Sequence, residues 1–418
     1  MFETLIDAPA QNPTISWSMQ FQHLKVGLDV SDGAKHTLHI GPEEIRLTDG
    51  IDDDSQFSFV ADQNAWTNYA SEIPPVGYQA LTSMVEKDHM DITGDTLEFA
   101  RHGLMLEKLF SCLRPQKKST APPLDAPYFE QAGGRYLHLN LWGQHQRIYV
   151  EEAGPSDGGG QPIVCLHTAG SDGRQYRGLM ADADVLKNHR VIAFDLPGHG
   201  KSSPLAGFEA SRYMLTTQMY VEAVMAVCQA MQLKDPIVMG CSIGGRAVLH
   251  LSLKHGDYFK AAIGLQSATH AESHANEKLK MLDKHVLSRP DMHGGEVSAN
   301  SVQQIMSPLS PSKDYWETLY YYMQSGPGVF AGDLYYYFVD GDMRNGLAEQ
   351  IDTEQCPLYL LTGEYDLSAT PEMTEELAKL VKAQHCQIMK GLGHFPMSEN
   401  YAVFRDYLNP VLDKIAAA

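Results

Sequence analysis

Between Pro236 and Gly245 the chain runs through an apolar stretch, Ile237-Val238-Met239. It passes without a polar linker into Gly240-Cys241-Ser242-Ile243-Gly244 and on into the helix-like Arg246-Ala247-Val248-Leu249. Ser242 is the residue here whose type and setting suggest chemistry. A hydroxyl is a poor nucleophile in water, so it must be held where a base can reach it and where backbone N–H groups can meet a developing oxyanion. Gly-x-Ser-x-Gly at a strand-to-helix turn serves both needs, because the turn crowds the serine outward and the glycines leave room for the neighbouring strand and helix. A glycine-rich turn with an incidental serine is the plainer alternative, and the residues downstream count against it.

Two later strand ends supply the partners such a serine needs. Asp366 follows the run Leu358–Leu361 in Thr362-Gly363-Glu364-Tyr365-Asp366, and His394 follows a run at Gln387 in Gly391-Leu392-Gly393-His394-Phe395-Pro396. An imidazole, with an unperturbed pKa of about 6.5, suits taking the serine proton and returning it to a leaving group. A carboxylate on its other ring nitrogen fixes the tautomer and stabilises the imidazolium. Glu364 is the rival acid.

The elements that must hold these residues are legible as four short, nearly continuous apolar runs at Pro162–Leu166, Val191–Phe194, Ile237–Met239 and Ala261–Leu265, followed after a long interruption by two more strands at Leu358–Leu361 and Gln387–Met389. Such runs suit strands buried on both faces, and the amphipathic stretches between them, clearest from Tyr213 to Leu233, predict an α/β fold with a mostly parallel sheet. Arg135–Asn140 and Arg147–Glu151 read as an opening hairpin-like pair. Residues 268–350 break the rhythm with a dense set of rings, among them Tyr315, Trp316, Tyr320, Tyr321, Tyr322, Phe330, Tyr336 and Tyr337. Helices over the carboxyl edge of the sheet would make of them a lid and an apolar pocket; a helical insertion packing only its own core is the alternative.

Residues 1–120 are of another kind. Thr37–Ile40, Glu44–Leu47 and Phe57–Ala61 alternate as half-buried strands do, and helices near 64–70, 78–85 and up to Leu113 flank a strand at Met90–Asp95. That order predicts a small α+β domain. Pro115-Gln116-Lys117-Lys118-Ser119-Thr120-Ala121-Pro122-Pro123 has the composition of an exposed linker.

The chain has 418 residues and a net charge of −20, so its field repels phosphate backbones and nucleic acid is not an expected partner. No basic and apolar leader opens it and no stretch has the length of a membrane span, so a cytoplasmic location is the expectation. The six cysteines include no C-x-x-C pair and read as buried thiols, with Cys241 the one beside the serine. His270 and His274 have a zinc-like spacing but lack a third ligand, so no metal is expected, and without a dinucleotide or P-loop motif no cofactor is expected either. Self-association is left open.

Residues 126–418 resemble the α/β-hydrolase superfamily, with a helical cap inserted after the sixth strand. The resemblance rests on the serine turn, on Phe194-Asp195-Leu196-Pro197-Gly198-His199-Gly200-Lys201-Ser202, and on the order serine, acid, histidine. It implies core segments 126–267 and 351–418, a cap over 268–350, and a triad of Ser242, Asp366 and His394 in which Asp366 is preferred to Glu364. It also implies an oxyanion hole built from the Ile243 amide and one from the loop His167-Thr168-Ala169-Gly170, where the family has His-Gly and this chain has His-Thr. By position that second donor is Ala169, with Thr168 the other option. His167, Asp195 and His199 are expected to fix loops.

The activity implied is that of a serine carboxylesterase acting on a small-molecule ester with a bulky or aromatic part. Tyr315, Trp316, Tyr320 and Tyr336 are candidate pocket rings, and Arg174 and Arg177 candidate partners for a substrate carboxylate, although exposed helix arginines are the commoner case. Lactonase, thioesterase, amidase and carbon–carbon hydrolase activities share the same triad, and a binding protein for an apolar ligand on the same scaffold is the reading from another class. Residues 20–114 resemble a sterol-carrier-protein-type domain, on the strand pairs, the Trp66 helix and Ile92-Thr93-Gly94-Asp95; a ligand-free accessory or dimerisation domain is the alternative.

Overall fold

The computed structural model describes residues 1–20, 22–115, 126–155, 158–271, 284–287, 289 and 291–418. Most of the linker-like segment and His274 fall outside them. The chain divides into two compact units, Met1–Thr120 with His274–Gln304, and Ala121–Ser273 with Ile305–Ala418.

The first unit is built on a five-stranded sheet of order β3-β2-β1-β4-β5, from β1 (Leu24–Val30), β2 (Lys35–Ile40), β3 (Ile45–Asp49), β4 (Phe57–Ala61) and β5 (Asp91–Gly94). Its strands alternate buried and part-exposed residues, as a sheet covered on one face does. The central β1 was not among the expected strands. Its alternation is interrupted by Gly27, where a Cβ would lie 2.1 Å from the Ser58 hydroxyl, so close approach of β4 costs the strand a side chain. Trp66, Phe57, Phe59, Phe99 and Phe110 fill the core with ring centroids mostly 5–6 Å apart.

The helix Gly294–Gln303 packs on Thr96–Phe110 within this unit. The expectation that all of 268–350 forms one cap over the hydrolase core therefore needs correction. The described residues of 274–304 cluster with the first unit, and 305–350 with the second. Helices from both pieces are amphipathic, so composition did not distinguish which core each would join.

The second unit carries eight strands in the order β13-β12-β11-β10-β8-β9-β7-β6. These are β6 (Gly133–Leu141), β7 (Gln144–Ala153), β8 (Gln161–Leu166), β9 (His189–Phe194), β10 (Ile237–Cys241), β11 (Ala261–Leu265), β12 (Leu358–Gly363) and β13 (His385–Met389). The strands from β8 to β13 run parallel, whereas β6 and β7 form the antiparallel pair at one edge, with Arg135 opposite Val150. Every residue of β10, β11 and β12 is buried, as a parallel sheet covered on both faces requires. Ile163, Cys165, Met239, Ile263 and Leu361 pack in one cluster with Leu179, Phe404, Leu408 and Val411. Between β11 and β12 this unit holds the helices Ser312–Met323 and Val329–Tyr335 and one turn of π-helix at Tyr336–Asp340.

Candidate active site

Because β10, β12 and β13 are parallel, the residues after them gather at one edge of the sheet. Ser242 follows β10 with φ 60° and ψ −116° and opens the helix Ile243–His255. A non-glycine residue in that region costs roughly 1–3 kcal/mol and persists only where its surroundings hold it. A Cβ on Gly240 would lie 2.4 Å from the Gly244 carbonyl, and one on Gly244 2.4 Å from the Leu166 carbonyl. Both motif glycines are thus demanded by contact between strand and helix. Ser242 is 6% exposed and its hydroxyl makes no capping bond to the helix it opens.

His394 follows β13, and its Nδ1 lies 2.7 Å from Asp366 Oδ2 after β12. A carboxylate accepts only, so Nδ1 carries the proton and Nε2 of the neutral ring holds the lone pair. Asp366 Oδ1 accepts from the Ser368 and Ala369 amides at 2.8 and 3.2 Å, which fixes the carboxylate. Glu364 faces Lys390 Nζ and the Gly391 amide at 3.0 Å each, so it is Asp366 that meets the imidazole. The His394 loop is tied from several sides. Its amide donates to the Ile305 carbonyl at 2.8 Å, its carbonyl accepts from Cys241 Sγ at 3.0 Å, and the Gly393 carbonyl accepts from Gln266 at 2.7 Å. The Cys241 bond draws the backbone of His394 to the residue beside Ser242. Burial raises the Cys241 thiol well above its ordinary pKa, leaving it a structural donor rather than a nucleophile. Cys165, Cys228 and Cys356 are also buried, while Cys112 and Cys386 are partly exposed, contrary to the expectation that all six are buried.

In the loop after β8 the amides on either side of Ala169 are engaged. The Thr168 amide donates to Gln175 Oε1 at 3.0 Å and the Gly170 amide to Asp333 Oδ2 at 2.7 Å. Among the described residues the Ala169 amide has no such partner, so Thr168 is corrected from a candidate donor to an anchored neighbour. His167 takes Leu196 N–H on Nε2 at 3.1 Å and donates from Nδ1 to the Thr168 carbonyl at 2.9 Å. Burial, with His199 beside it, lowers its pKa to about 4, so it is a neutral loop-fixing residue. Asp195 accepts from the Gly173 and Lys201 amides at 2.8 Å each. Burial, assisted by Asp172, lifts it to about 6.

The expected substrate contacts divide. Arg174 is held by Asp172 at 2.6 Å and by Gln324 at 2.6 Å, and lies over the Tyr321 ring at 4.7 Å. It is an internal strut rather than a free guanidinium, because a buried carboxylate two residues away claims it. Tyr336 is likewise corrected: its ring is fully buried against Tyr220 and His250. Tyr315 and Trp316 are half-buried with centroids 5.5 Å apart, Tyr320 is exposed, and Arg177 is half-buried at the start of a short helical turn.

Two residues near the site, Asp333 and Glu399, were not singled out from sequence, and a third, Tyr322, was named only as one ring of the insertion. Tyr322 lies 2.5 Å from Thr168 Oγ1, Asp333 accepts from Gly170, and Glu399, fully buried, accepts from the Gly393 amide and, at 3.3 Å, from the Ser307 amide. Asp333 interrupts the apolar run Val329-Phe330-Ala331-Gly332, and an acid in such a run is the signal that was available.

Among curated proteins, no sequence match was found. Solved structures do match. An esterase from Thermogutta terrifontis aligns with a TM-score of 0.57 at 17% identity, over 67% of this chain and 99% of its own. An enol-lactonase from Burkholderia xenovorans LB400 aligns at 0.53 and 17%, over 68% and 100%, and a putative aryl esterase from Burkholderia cenocepacia at 0.55 and 17%, over 68% and 100%. At those identities they establish a shared fold. Residues 161–401 match the sequence profile of the alpha/beta hydrolase fold family, which takes in the serine turn, both later strand ends and the loop after β8; the chain belongs to that family.

Proposed function

We propose that the protein is a serine hydrolase that cleaves a carboxylic ester of a small molecule through an acyl-enzyme. The observation that carries this reading is the strained Ser242 at the sheet edge shared by the His394–Asp366 pair. His394 Nε2 takes the hydroxyl proton as Ser242 Oγ bonds to the ester carbonyl carbon. The oxyanion that forms is met by the N–H groups of Ile243 and Ala169. The alcohol then leaves with the proton from His394, and a water activated by the same nitrogen releases the acid and restores the serine. Asp366 holds the ring in the required tautomer and stabilises the imidazolium. The density of rings in the insertion is what suggests a bulky or aromatic substrate, with Tyr315, Trp316 and Tyr320 the candidate contacts and the insertion acting as a cap. A lactone is an internal ester and would react in the same way.

The test is a pre-steady-state time course with p-nitrophenyl esters of graded acyl size and an aryl lactone. The wild type should show a burst, and Ser242→Ala should lose about 10⁴-fold or more in turnover while remaining folded. Turnover close to wild type in that variant would discard the assignment.

A further inference from the structure

We propose that two residues of the insertion, Asp333 and Tyr322, position the oxyanion loop by gripping it on either side of Ala169. On one side, Thr168 Oγ1 lies 3.1 Å from Gln175 Oε1 and 2.5 Å from the Tyr322 hydroxyl. The Gln175 oxygen also accepts the Thr168 amide, so the single threonine proton goes to it and Tyr322 donates to Thr168. On the other side, Asp333 Oδ2 accepts from the Gly170 amide at 2.7 Å and from His199 Nε2 at 2.8 Å, while Oδ1 accepts from Tyr213 at 3.0 Å. Asp333, His199 and Tyr322 are almost fully buried.

A carboxylate taken so far from water is tolerated only if its lone pairs are met. Those of Asp333 are met by a loop amide, by the turn after β9 and by Tyr213. Gly170 has φ +65°, and a Cβ there would lie 2.8 Å from Phe330, so the loop also packs directly on the helix that bears Asp333.

Of three consecutive amides in the loop, the outer two are fastened and the middle one is left for chemistry. An oxyanion donor works over a few tenths of an ångström, so a grip on both neighbours fixes what the middle amide can reach. The insertion therefore acts on the bond-making step and not solely on what enters the pocket. This inference rests on the reading of Ser242 as nucleophile and Ala169 as oxyanion donor.

Asp333→Leu keeps roughly the size but removes the acceptor of the Gly170 amide, and Tyr322→Phe removes only a donor. For each variant, kcat and KM on the best p-nitrophenyl ester, the inhibition constant of an aryl trifluoromethyl ketone, and active-site titration with a fluorophosphonate are to be measured. The ketone binds as a hemiketal oxyanion and so reports the hole itself. Per titrated site, kcat should fall about 10- to 100-fold, within the range for a weakened oxyanion donor. KM should move by less than about threefold, and the ketone constant should rise in step with the loss in kcat. If kcat per titrated site and the ketone constant stay within about twofold of wild type in both variants, the inference falls and the hydrolase reading stands. A rise in KM with kcat and ketone binding intact would likewise overturn it, since that marks a substrate contact. A wild type inert to esters and to the phosphonate sinks the hydrolase reading and this inference with it.

Discussion

The helix Thr96–Phe110 of the first unit and the helix Ile243–His255 of the second begin in opposite ways. Ahead of the first, Asp95 is extended and its carboxylate accepts from the Leu97 and Glu98 amides at 2.9 and 3.2 Å. Ahead of the second, Ser242 has a positive φ and makes no capping bond. An acidic cap contributes about 1 kcal/mol, which the second helix forgoes, along with the strain energy of Ser242. Its leading N–H groups, at the positive end of the helix dipole, stay available to an arriving negative charge. The first unit closes its helix start for stability, whereas the second leaves it open where an oxyanion is proposed to form.

That contrast breaks most sharply if function and stability are not separable in this way. Asp366→Asn keeps the volume of the side chain but permits the wrong imidazole tautomer, and kcat on a p-nitrophenyl ester should fall about 10⁴-fold with little change in melting temperature. A loss below about tenfold would remove Asp366 from the triad. Trp66→Ala should do the reverse. Trp66 is fully buried among Phe2, Phe59, Tyr69 and Phe110, so truncation should cost about 3–5 kcal/mol of stability in denaturant unfolding. Turnover per folded molecule should be unchanged at low denaturant, and a matching loss of kcat would give the first unit a part in the chemistry.

The two regions also differed in how far sequence reading carried. Strands β8 to β12 carry apolar runs long enough to declare themselves, and Ser242, Asp366 and His394 lie in short motifs after β10, β12 and β13. The proposed grip on the loop after β8 was not legible, because Gly170 and Asp333 are 163 positions apart and Thr168 and Tyr322 154 apart. Nothing local marks such a pair. Arg174 misled for a related reason: position suggested a free guanidinium, while the carboxylate of Asp172 engages it from two residues away. The split of the insertion was hidden because amphipathic helices announce a buried face but not the surface that buries it.

Glu399 sharpens the comparison through pH. Burial lifts its carboxyl from the ordinary 4.5 to about 8, against the lowering effect of the Gly393 and Ser307 amides. The folded chain therefore keeps a proton that the unfolded chain releases. The stability this contributes is full below the unfolded value and is lost as pH rises toward about 8, in an amount on the order of a few kcal/mol at about 1.4 kcal/mol per unit. Glu107 of the first unit is also buried and raised by burial, so the comparison must be made within one background. In denaturant midpoints between about pH 5 and 9, the wild type should lose stability relative to Glu399→Gln. Parallel curves would mean that Glu399 is ionised throughout.

The smallest expected effect tests the opening contrast directly. Asp95→Ala removes a cap from two amides at the start of a helix that begins at an exposed turn, where water can replace part of what is lost. The cost should be about 1 kcal/mol, visible as a lower denaturant midpoint at constant slope, and ester turnover should not change. Asp95→Asn retains a capping oxygen and should recover most of the midpoint but less of the favourable interaction of a negative charge with the helix start. If Asp95→Ala left the midpoint unmoved, the cap would contribute nothing, and the open start of the second helix would forgo no stability by comparison. The strain at Ser242 would then be the only stability traded for chemistry at that turn.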